Sequence, residues 1–213
     1  IFNLITGIYK PDSGKVLFNN EDITGKKPYE IANLGIGRTF QNIRLFSQLS
    51  VLENVLIAAH KDANYNLLTA VTHFGHFKSK EKHIRETCLE LLNIVGLGDR
   101  LVEKAGNLPY GHQRKLEIAR ALALKPKLLL LDEPAAGMNK EESKELVGFI
   151  KYVYEKFDLT ILMIEHHMDV VMSICDEITV LNFGKTIAKG TPKEIQKDKQ
   201  VIEAYLGGEN KSC

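Results

Sequence analysis

The sequence predicts an α/β fold built on a parallel sheet, with a helical insertion and an antiparallel β edge. Three observations favour it: four consecutive leucines at 128–131, a second apolar run, "LTILMI", at 159–164, and an amphipathic helix pattern between them. Continuous apolar strands are typical of a sheet that is covered on both faces. A strand, a helix and a second strand predict a right-handed βαβ unit with two parallel strands.

The composition is that of an ordinary globular protein. The 213 residues carry a net charge of +1, and 26% of them are charged. One substantial core, or a core plus a small subdomain, can therefore form, and the charge balance gives no reason to propose nucleic acid as a partner. No apolar run approaches the roughly 18 residues that span a bilayer. Cys88, Cys175 and Cys213 are widely spaced without a CxxC pair, which predicts reduced, structural thiols.

The first 43 residues contain short helices and strands. "IFNLITG" reads as the last turns of a helix that stops at Gly7. A turn at 11–14 leads into the short strand "KVLF". Pro28 is placed to open a helix that ends near Gly35, and "GIGRTFQ" follows as a strand.

The next region, 44–124, is predicted to be mostly helical. Ser50 and Glu53 form a capping box ahead of "VLENVLIAA", and residues 61–80 read as an irregular surface loop or insertion. Apolar residues at helical spacing follow and are stopped by Gly96. They are Ile84, Cys88, Leu91, Leu92 and Val95. This shift predicts a helical subdomain at 44–124 inserted into a core formed by 1–43 and 125–213.

The last part of the chain returns to strands and helices. Apolar residues after Asn139 recur on one helical face. They are Leu146, Val147, Ile150, Val153, Tyr154 and Phe157. The segment "EITVLNFGKTIAKG" predicts a hairpin that turns through 182–185.

Polar side chains follow the two apolar strands at their carboxyl ends. Asp132 and Glu133 end the first strand, and Glu165, His166 and His167 end the second. Ligands bind beyond these ends in open α/β sheets. An acid there can hold Mg²⁺, and the next acid can activate water for phosphoryl transfer. A neighbouring histidine can hydrogen-bond a terminal phosphate.

The segment "LPYGHQRKLEIARAL" precedes the acidic strand. Gly111 near a helix start leaves backbone N–H groups free to meet an anion, although an ordinary helix cap gives the same pattern. These residues together resemble the ATP-binding subunits of ABC transporters. The segment resembles the signature motif, "LLLLDEP" Walker B, "AAGMN" the D-loop, His166 the switch histidine, and Gln41 the Q-loop glutamine.

The resemblance implies a P-loop NTPase (RecA-like) core and a role for each matched residue. Asp132 would support Mg²⁺, Glu133 would be the catalytic base, and His166 would contact the γ-phosphate of ATP. Gln41 would contact the metal and link it to the membrane partner. The remaining implied nucleotide contacts are Tyr110, Gly111, His112, Gln113 and Asn139.

The resemblance also implies partners. The segment around Gly111 would close over ATP held by a second ATPase subunit, identical or paralogous. Transmembrane permease subunits would bind the helical subdomain and Gln41, and a solute-binding protein would act indirectly. The chain would then lie peripherally on the cytoplasmic face of the plasma (inner) membrane.

Within the family, several segments are similar to the ATPases of branched-chain amino-acid uptake systems. That group tolerates Tyr110 in place of a signature glycine and Asn139 in place of the D-loop aspartate. Pro109 offers no hydroxyl, His112 stands where glutamine is usual, and His167 stands where an acid is common. These three departures bear on rate and pH dependence.

The phosphate-cradling loop GxxxxGKS/T does not occur in the 213 residues. In the family this loop precedes a helix that resembles "IFNLITGIYKPDSG", so we expect it just before Ile1, which would make the chain N-terminally truncated. Since that loop supplies the main phosphate ligands, we expect these residues alone to bind Mg-ATP weakly and to be inactive.

Other functions fit the same pattern. ATPases of urea or amide importers and of lipopolysaccharide exporters are similar. Soluble ABC ATPases of DNA repair or translation form another class, although tandem nucleotide domains or a long coiled coil would be expected there. A non-catalytic interaction protein is a third class, against which Asp132, Glu133 and His166 argue.

Overall fold

The computed structural model describes residues 1–60 and 76–206. The strands are β1 Leu17–Phe18, β2 Glu21–Asp22, β3 Ile36–Arg38, β4 Leu128–Asp132, β5 Thr160–Ile164, β6 Ile178–Asn182 and β7 Lys185–Gly190. The helices are α1 Phe2–Ile5, α2 Pro28–Asn33, α3 Val51–Ala59, α4 His76–Ile94, α5 Tyr110–Leu122, α6 Lys140–Phe157, α7 Met168–Ile174, α8 Pro192–Ile195 and α9 Lys199–Val201. A 3-10 turn lies at Ala105–Asn107, and Ile202–Leu206 form a π turn.

A parallel sheet positions the polar strand ends. Its order is β3-β4-β5, with β4 in the centre and both neighbours parallel to it. The βαβ prediction is confirmed, because α6 connects the adjacent parallel strands β4 and β5. Residues opposite each other include Arg38 with Leu130 and Asp132 with Ile164. The carboxyl ends of the three strands therefore meet at one edge.

The central strand is buried on both faces, as predicted. Leu129 and Leu131 join the main core with α3, α4, α5 and α6, whereas Leu130 points to a smaller core around Phe2 and Ile31. All three leucines are 0% exposed. Burying each leucine stabilises the fold by about 1.5–3 kcal/mol, so β4 is a rigid base for the residues that follow it.

The second apolar strand differs from the prediction that it is buried. Ile161 and Met163 pack against the main core, but Leu162 and Ile164 are 41% and 37% exposed. The reason is that side chains alternate between the faces of a strand. Among the described residues, only one face of β5 is covered by the main core.

The helical region confirms one capping prediction and corrects a boundary. Ser50 and Glu53 form the predicted box at the start of α3, with Ser50 N donating to Glu53 Oε2 at 2.8 Å. The helix α4 begins at His76, so the interpretation of 61–80 as irregular was wrong over 76–80. The first turns of this helix are mostly polar, so no apolar periodicity marks them in the sequence. Charged pairs such as Lys82 and Glu86, at i and i+4, stabilise a helix without such a pattern. Residues 61–75 lie outside the described part of the chain.

The hairpins follow their turn residues. β6 and β7 pair antiparallel, which confirms the predicted hairpin; Phe183 and Gly184 have φ of 47° and 77° in its turn, the conformation that two-residue hairpin turns require. A second hairpin pairs β1 with β2 through Asn19 and Asn20, both at positive φ. Its second strand was not predicted, since Glu21 and Asp22 have low strand propensity.

The cysteines and the lengths of the helices also bear on what the sequence predicts. Cys88 and Cys175 are free thiols, which agrees with the prediction for them, and Cys213 lies outside the described residues. Burial raises the pKa of Cys88 to about 11. Across 1–60 and 76–206, every helix is too short or too polar to cross a bilayer.

Candidate active site

The ends of β4 and β5 carry the predicted polar residues side by side. The backbone N–H of Glu133 donates to Ile164 O at 2.9 Å, which joins the two strand ends directly. Glu133 itself has φ of 43°, a left-handed conformation that costs energy in a residue other than glycine. Strain of this kind is concentrated at functional sites.

Two of the predicted residues converge on a third, Glu133, whose side chain is 25% exposed. Gln41 Nε2 donates to Glu133 Oε2 at 2.7 Å, and His166 Nδ1 lies 3.7 Å from the same oxygen. The imidazole of His166 is 59% exposed and open to a ligand. We call Gln41, Asp132, Glu133 and His166 the strand-end site.

Asp132 is held by a residue that the sequence reading missed. Arg38 Nη2 donates to Asp132 Oδ2 at 2.8 Å, and Arg38 Nη1 donates to Asn3 Oδ1 and Thr6 Oγ1. The two charged side chains are 11% and 20% exposed. Arg38 therefore ties α1 to the strand-end site. In the sequence, the only sign of this role was one cationic residue within the apolar strand "GIGRTFQ".

Glu165 joins the segments that follow the two strands, and its side chain is fully buried. Its Oε1 accepts from Ala135 N at 3.0 Å, and its Oε2 accepts from His166 N, His167 N and the ring of His167 at 2.8, 3.1 and 2.9 Å. Burial raises the pKa of Glu165, but the hydrogen bonds from His167, Ala135 and His166 outweigh it and leave that pKa below its ordinary value. The carboxylate is therefore ionised at neutral pH.

The predicted signature residues form a second group. Tyr110 OH donates to Ala136 O at 3.1 Å, so the start of α5 contacts the segment after Glu133. Gly111 and His112 line a depression of about 190 Å³ together with Met138. Burial, Arg100 and Lys115 lower the pKa of His112 below 6.5; the ring is therefore neutral at pH 7.

Two other predicted residues use their amides inside the chain. Gln113 Nε2 donates to Leu108 O at 2.8 Å, and Asn139 Oδ1 accepts from Glu142 N at the start of α6. Their side chains stabilise the ends of α5 and α6. That Gln113 and Asn139 contact a nucleotide stays a prediction, because their hydrogen bonds in this structure are to other residues of the same chain.

A buried ion pair holds the Gln41 segment against α5. Arg114 Nη1 lies 2.8 Å from Glu117 Oε2, and these side chains are 0% and 6% exposed. Arg114 donates to Phe40 O and Gln41 O, while Glu117 Oε1 accepts from Phe40 N and Arg44 N. We call Arg114 and Glu117 the helix–loop clamp.

Opposing effects act on the pKa of Glu117 in the helix–loop clamp. Burial raises the pKa of Glu117, and Arg114 and the backbone donors oppose that rise. The sequence reading missed the clamp. Its signal was an i,i+3 pair of charges on the same helical stripe as buried Ile118 and Ala121.

The strand-end site suits a hard cation. The carboxylates of Asp132 and Glu133 and the amide oxygen of Gln41 are the oxygen ligands that Mg²⁺ prefers. Arg38 occupies one oxygen of Asp132 and leaves the other available. Glu165, His166 and His167 also cluster within 4.8 Å, but imidazoles suit transition metals, and the Glu165 oxygens are already occupied by N–H donors.

Two family models match separate parts of the chain. Residues 1–136 match the ABC transporter family. Residues 185–210 match the branched-chain amino acid ATP-binding cassette transporter family.

Individual relatives agree with these matches. The branched-chain amino acid transport ATP-binding protein BraF of Pseudomonas aeruginosa is 42% identical over 97% of this chain and 81% of its own length. LivG of Escherichia coli K12 is 41% identical with the same coverage. An ATP-binding cassette of an ABC transporter in its ADP conformation superposes with a TM-score of 0.80 at 33% identity, over 97% of this chain and 82% of that one. A nucleotide-free ATP-binding cassette has a TM-score of 0.78 at 33% identity and covers 95% and 81%.

Proposed function

We propose, since this chain belongs to the ABC transporter family of ATP-binding subunits, that it hydrolyses ATP to drive the uptake of branched-chain amino acids through a membrane permease. The observation that carries the proposal is the strand-end site. There Gln41 and His166 converge on one oxygen of Glu133, next to Asp132. This set of groups suits phosphoryl transfer to water.

The proposed roles follow from chemistry and exposure. Glu133 takes a proton from the water that attacks the γ-phosphorus of ATP, and the bond to the β-phosphate oxygen breaks to release ADP. His166, which is exposed, donates a hydrogen bond to the γ-phosphate. Gln41 orients Glu133 through their 2.7 Å hydrogen bond.

Asp132 and Gln41 are the residues that would hold Mg²⁺. The ion supplies charge neutralisation for the phosphates when it is bound. Arg38 fixes one oxygen of Asp132, so the aspartate presents its other oxygen in a defined direction.

The signature residues are proposed to act across a subunit boundary. Tyr110, Gly111 and His112 lie at the open start of α5, and the neutral His112 ring avoids adding a charge there. Together with Gln113 and Asn139 they would complete a nucleotide site on a second ATPase subunit, identical or paralogous. Both Tyr110 and Asn139 are exposed, which supports this role.

The partners and location are proposed with the same function. The region 44–124 is the proposed helical subdomain, and with the Gln41 segment it would receive the permease. A solute-binding protein would deliver the amino acid on the other side. The chain would then lie peripherally on the cytoplasmic face of the plasma (inner) membrane.

Glu133→Gln in the ATPase assembled with its permease tests the site. We expect ATP to remain bound while turnover falls about 10²- to 10⁴-fold, because binding and water activation rest on different groups. Equilibrium nucleotide binding and phosphate release measure the two quantities. Glu155→Gln, which removes an exposed carboxylate of α6, is the control. Near-normal hydrolysis by Glu133→Gln would remove Glu133 from the role of base.

Uptake by proteoliposomes tests the substrate class. We expect ATP-dependent accumulation of leucine, isoleucine and valine, which the match over 185–210 supports. Accumulation of urea or an amide instead would leave the ATPase role intact and change the cargo. ATP hydrolysis without any permease would favour the soluble class of ABC ATPase.

A further inference from the structure

We propose that Glu165 is a positioning residue that sets the geometry between Glu133 and His166. The inference rests on the roles proposed above for those two residues. Glu165 does not face the substrate, because its side chain is fully buried. It acts through the two backbone segments that carry the reacting groups.

Each of the two carboxylate oxygens of Glu165 binds a different backbone segment. Oε1 accepts the N–H of Ala135, two residues after Glu133, and Oε2 accepts the N–H groups of His166 and His167. The segments that follow β4 and β5 are therefore linked through a single side chain. His166 Nδ1 lies 3.7 Å from Glu133 Oε2 and 3.8 Å from Glu165 Oε2, so the two reacting groups are close to this link.

The link supports a strained residue. Glu133 adopts φ of 43°, and its backbone is fixed by Glu133 N to Ile164 O and by Ala136 N to Glu133 O. The bond from Ala135 to Glu165 adds a third restraint within the same turn. Such a turn keeps an unfavourable conformation only when its surroundings over-determine it.

The chemistry requires a carboxylate at this position. Four N–H donors, including the ring of His167, converge on two oxygens, and an ionised carboxylate accepts without donating. A glutamine would turn an NH₂ group towards Ala135 or towards the histidine segment. At least one N–H donor would then lose its partner, which displaces that segment.

The test measures turnover of Glu165→Gln in the assembled transporter. We expect turnover to fall about 10- to 100-fold, as for residues that orient reacting groups, with ATP affinity unchanged. Glu194→Gln is the matched control, because Glu194 also accepts a backbone N–H, from Thr191, but lies at the start of α8. We expect wild-type turnover from it.

A double-mutant cycle separates positioning from stability. In a His166→Ala background, Glu165→Gln should lower turnover by clearly less than it does in the wild-type background, because the part of its effect that acts through His166 is already lost and only its restraint on the Glu133 turn remains. A general structural role would multiply the two losses and would lower ATP affinity. Multiplied losses, or full turnover by Glu165→Gln alone, would overturn the inference.

His167→Ala is a second variant that keeps the inference testable if Glu165→Gln does not fold. His167→Ala removes only the ring donor, from a side chain that is 44% exposed, and leaves the three backbone hydrogen bonds of Glu165. We expect a partial loss of turnover that is also non-additive with His166→Ala; additivity would contradict the proposal. If Glu133→Gln and His166→Ala retain turnover, the proposed function fails. If they lose it while Glu165→Gln does not, only this inference fails.

Discussion

The strand-end site and the helix–loop clamp meet at Gln41 and use charged residues in opposite ways. Glu133 and His166 are 25% and 59% exposed, whereas Arg114 and Glu117 are 0% and 6% exposed. The side chain of Gln41 donates to Glu133, and its backbone oxygen accepts from Arg114. One residue therefore belongs to both regions through different atoms.

The difference separates groups that act from groups that hold. Residues that contact a substrate must be reachable, so the side chains of Glu133 and His166 stay partly exposed although the backbone that carries Glu133 is fixed by hydrogen bonds. Residues that fix a backbone segment can be buried when their charges are paired. Hydrogen bonds to Phe40, Gln41 and Arg44 satisfy Glu117 and both terminal nitrogens of Arg114, and only Arg114 Nε lacks a partner among the described residues of the clamp. Burial makes such a pair costly to break, because one partner would be left uncompensated.

Arg114→Met tests this contrast with the largest expected effect on stability. It leaves Glu117 buried without its cation, and we expect the free energy of unfolding to fall by about 3–5 kcal/mol. Urea denaturation measures the change.

Arg100→Met is the matched control for Arg114→Met. Arg100 and Glu103 are also an i,i+3 pair, at 3.1 Å, but they are 34% and 32% exposed. We expect a loss of about 1 kcal/mol or less. Equal losses from the two variants would mean that burial does not distinguish the clamp from a surface pair.

Gln41→Ala sharpens the comparison at the shared residue. It removes the hydrogen bond to Glu133 but keeps the backbone oxygen on Arg114. We expect turnover to fall about tenfold, which corresponds to one hydrogen bond to a charged group, with stability unchanged. Gln48→Ala, which removes an exposed amide that accepts from Lys104, should change neither quantity. A loss of stability in Gln41→Ala would show that its side chain also holds the fold.

His112→Gln has the smallest expected effect and depends on pH. The pKa of His112 in the folded chain lies below 6.5 because of burial, Arg100 and Lys115. Folding thus favours the neutral ring; its contribution to stability is complete above pH 6.5 and declines as the pH falls through the lower folded value. We expect equal stability of wild type and variant at pH 7.5, and a more stable variant at pH 5.

His83→Gln is the control for the pH effect of His112→Gln, since His83 is exposed on α4. Chemical denaturation at several pH values measures both variants. A variant at His112 that follows the wild-type pH profile would show that another group titrates in this range.

The sequence by itself determined the elements whose signals are local. Continuous leucines predicted the buried strand β4, Ser50 and Glu53 predicted the start of α3, and the turn residues predicted the β6–β7 hairpin. It also indicated that Asp132, Glu133 and His166 belong together, because strands of a parallel sheet end at the same edge. These signals depend on residues that are neighbours in the chain or on a general rule of topology.

Only the tertiary structure decided which groups hold that site. Arg38 pairs with Asp132 across 94 residues, and Arg114 reaches Phe40 across 74. The exposure of Leu162 likewise depends on what covers its face of β5, which an apolar run does not reveal. Burial and partners at such distances follow from packing, so a charged residue in the sequence looks the same whether it is solvated or clamps a loop.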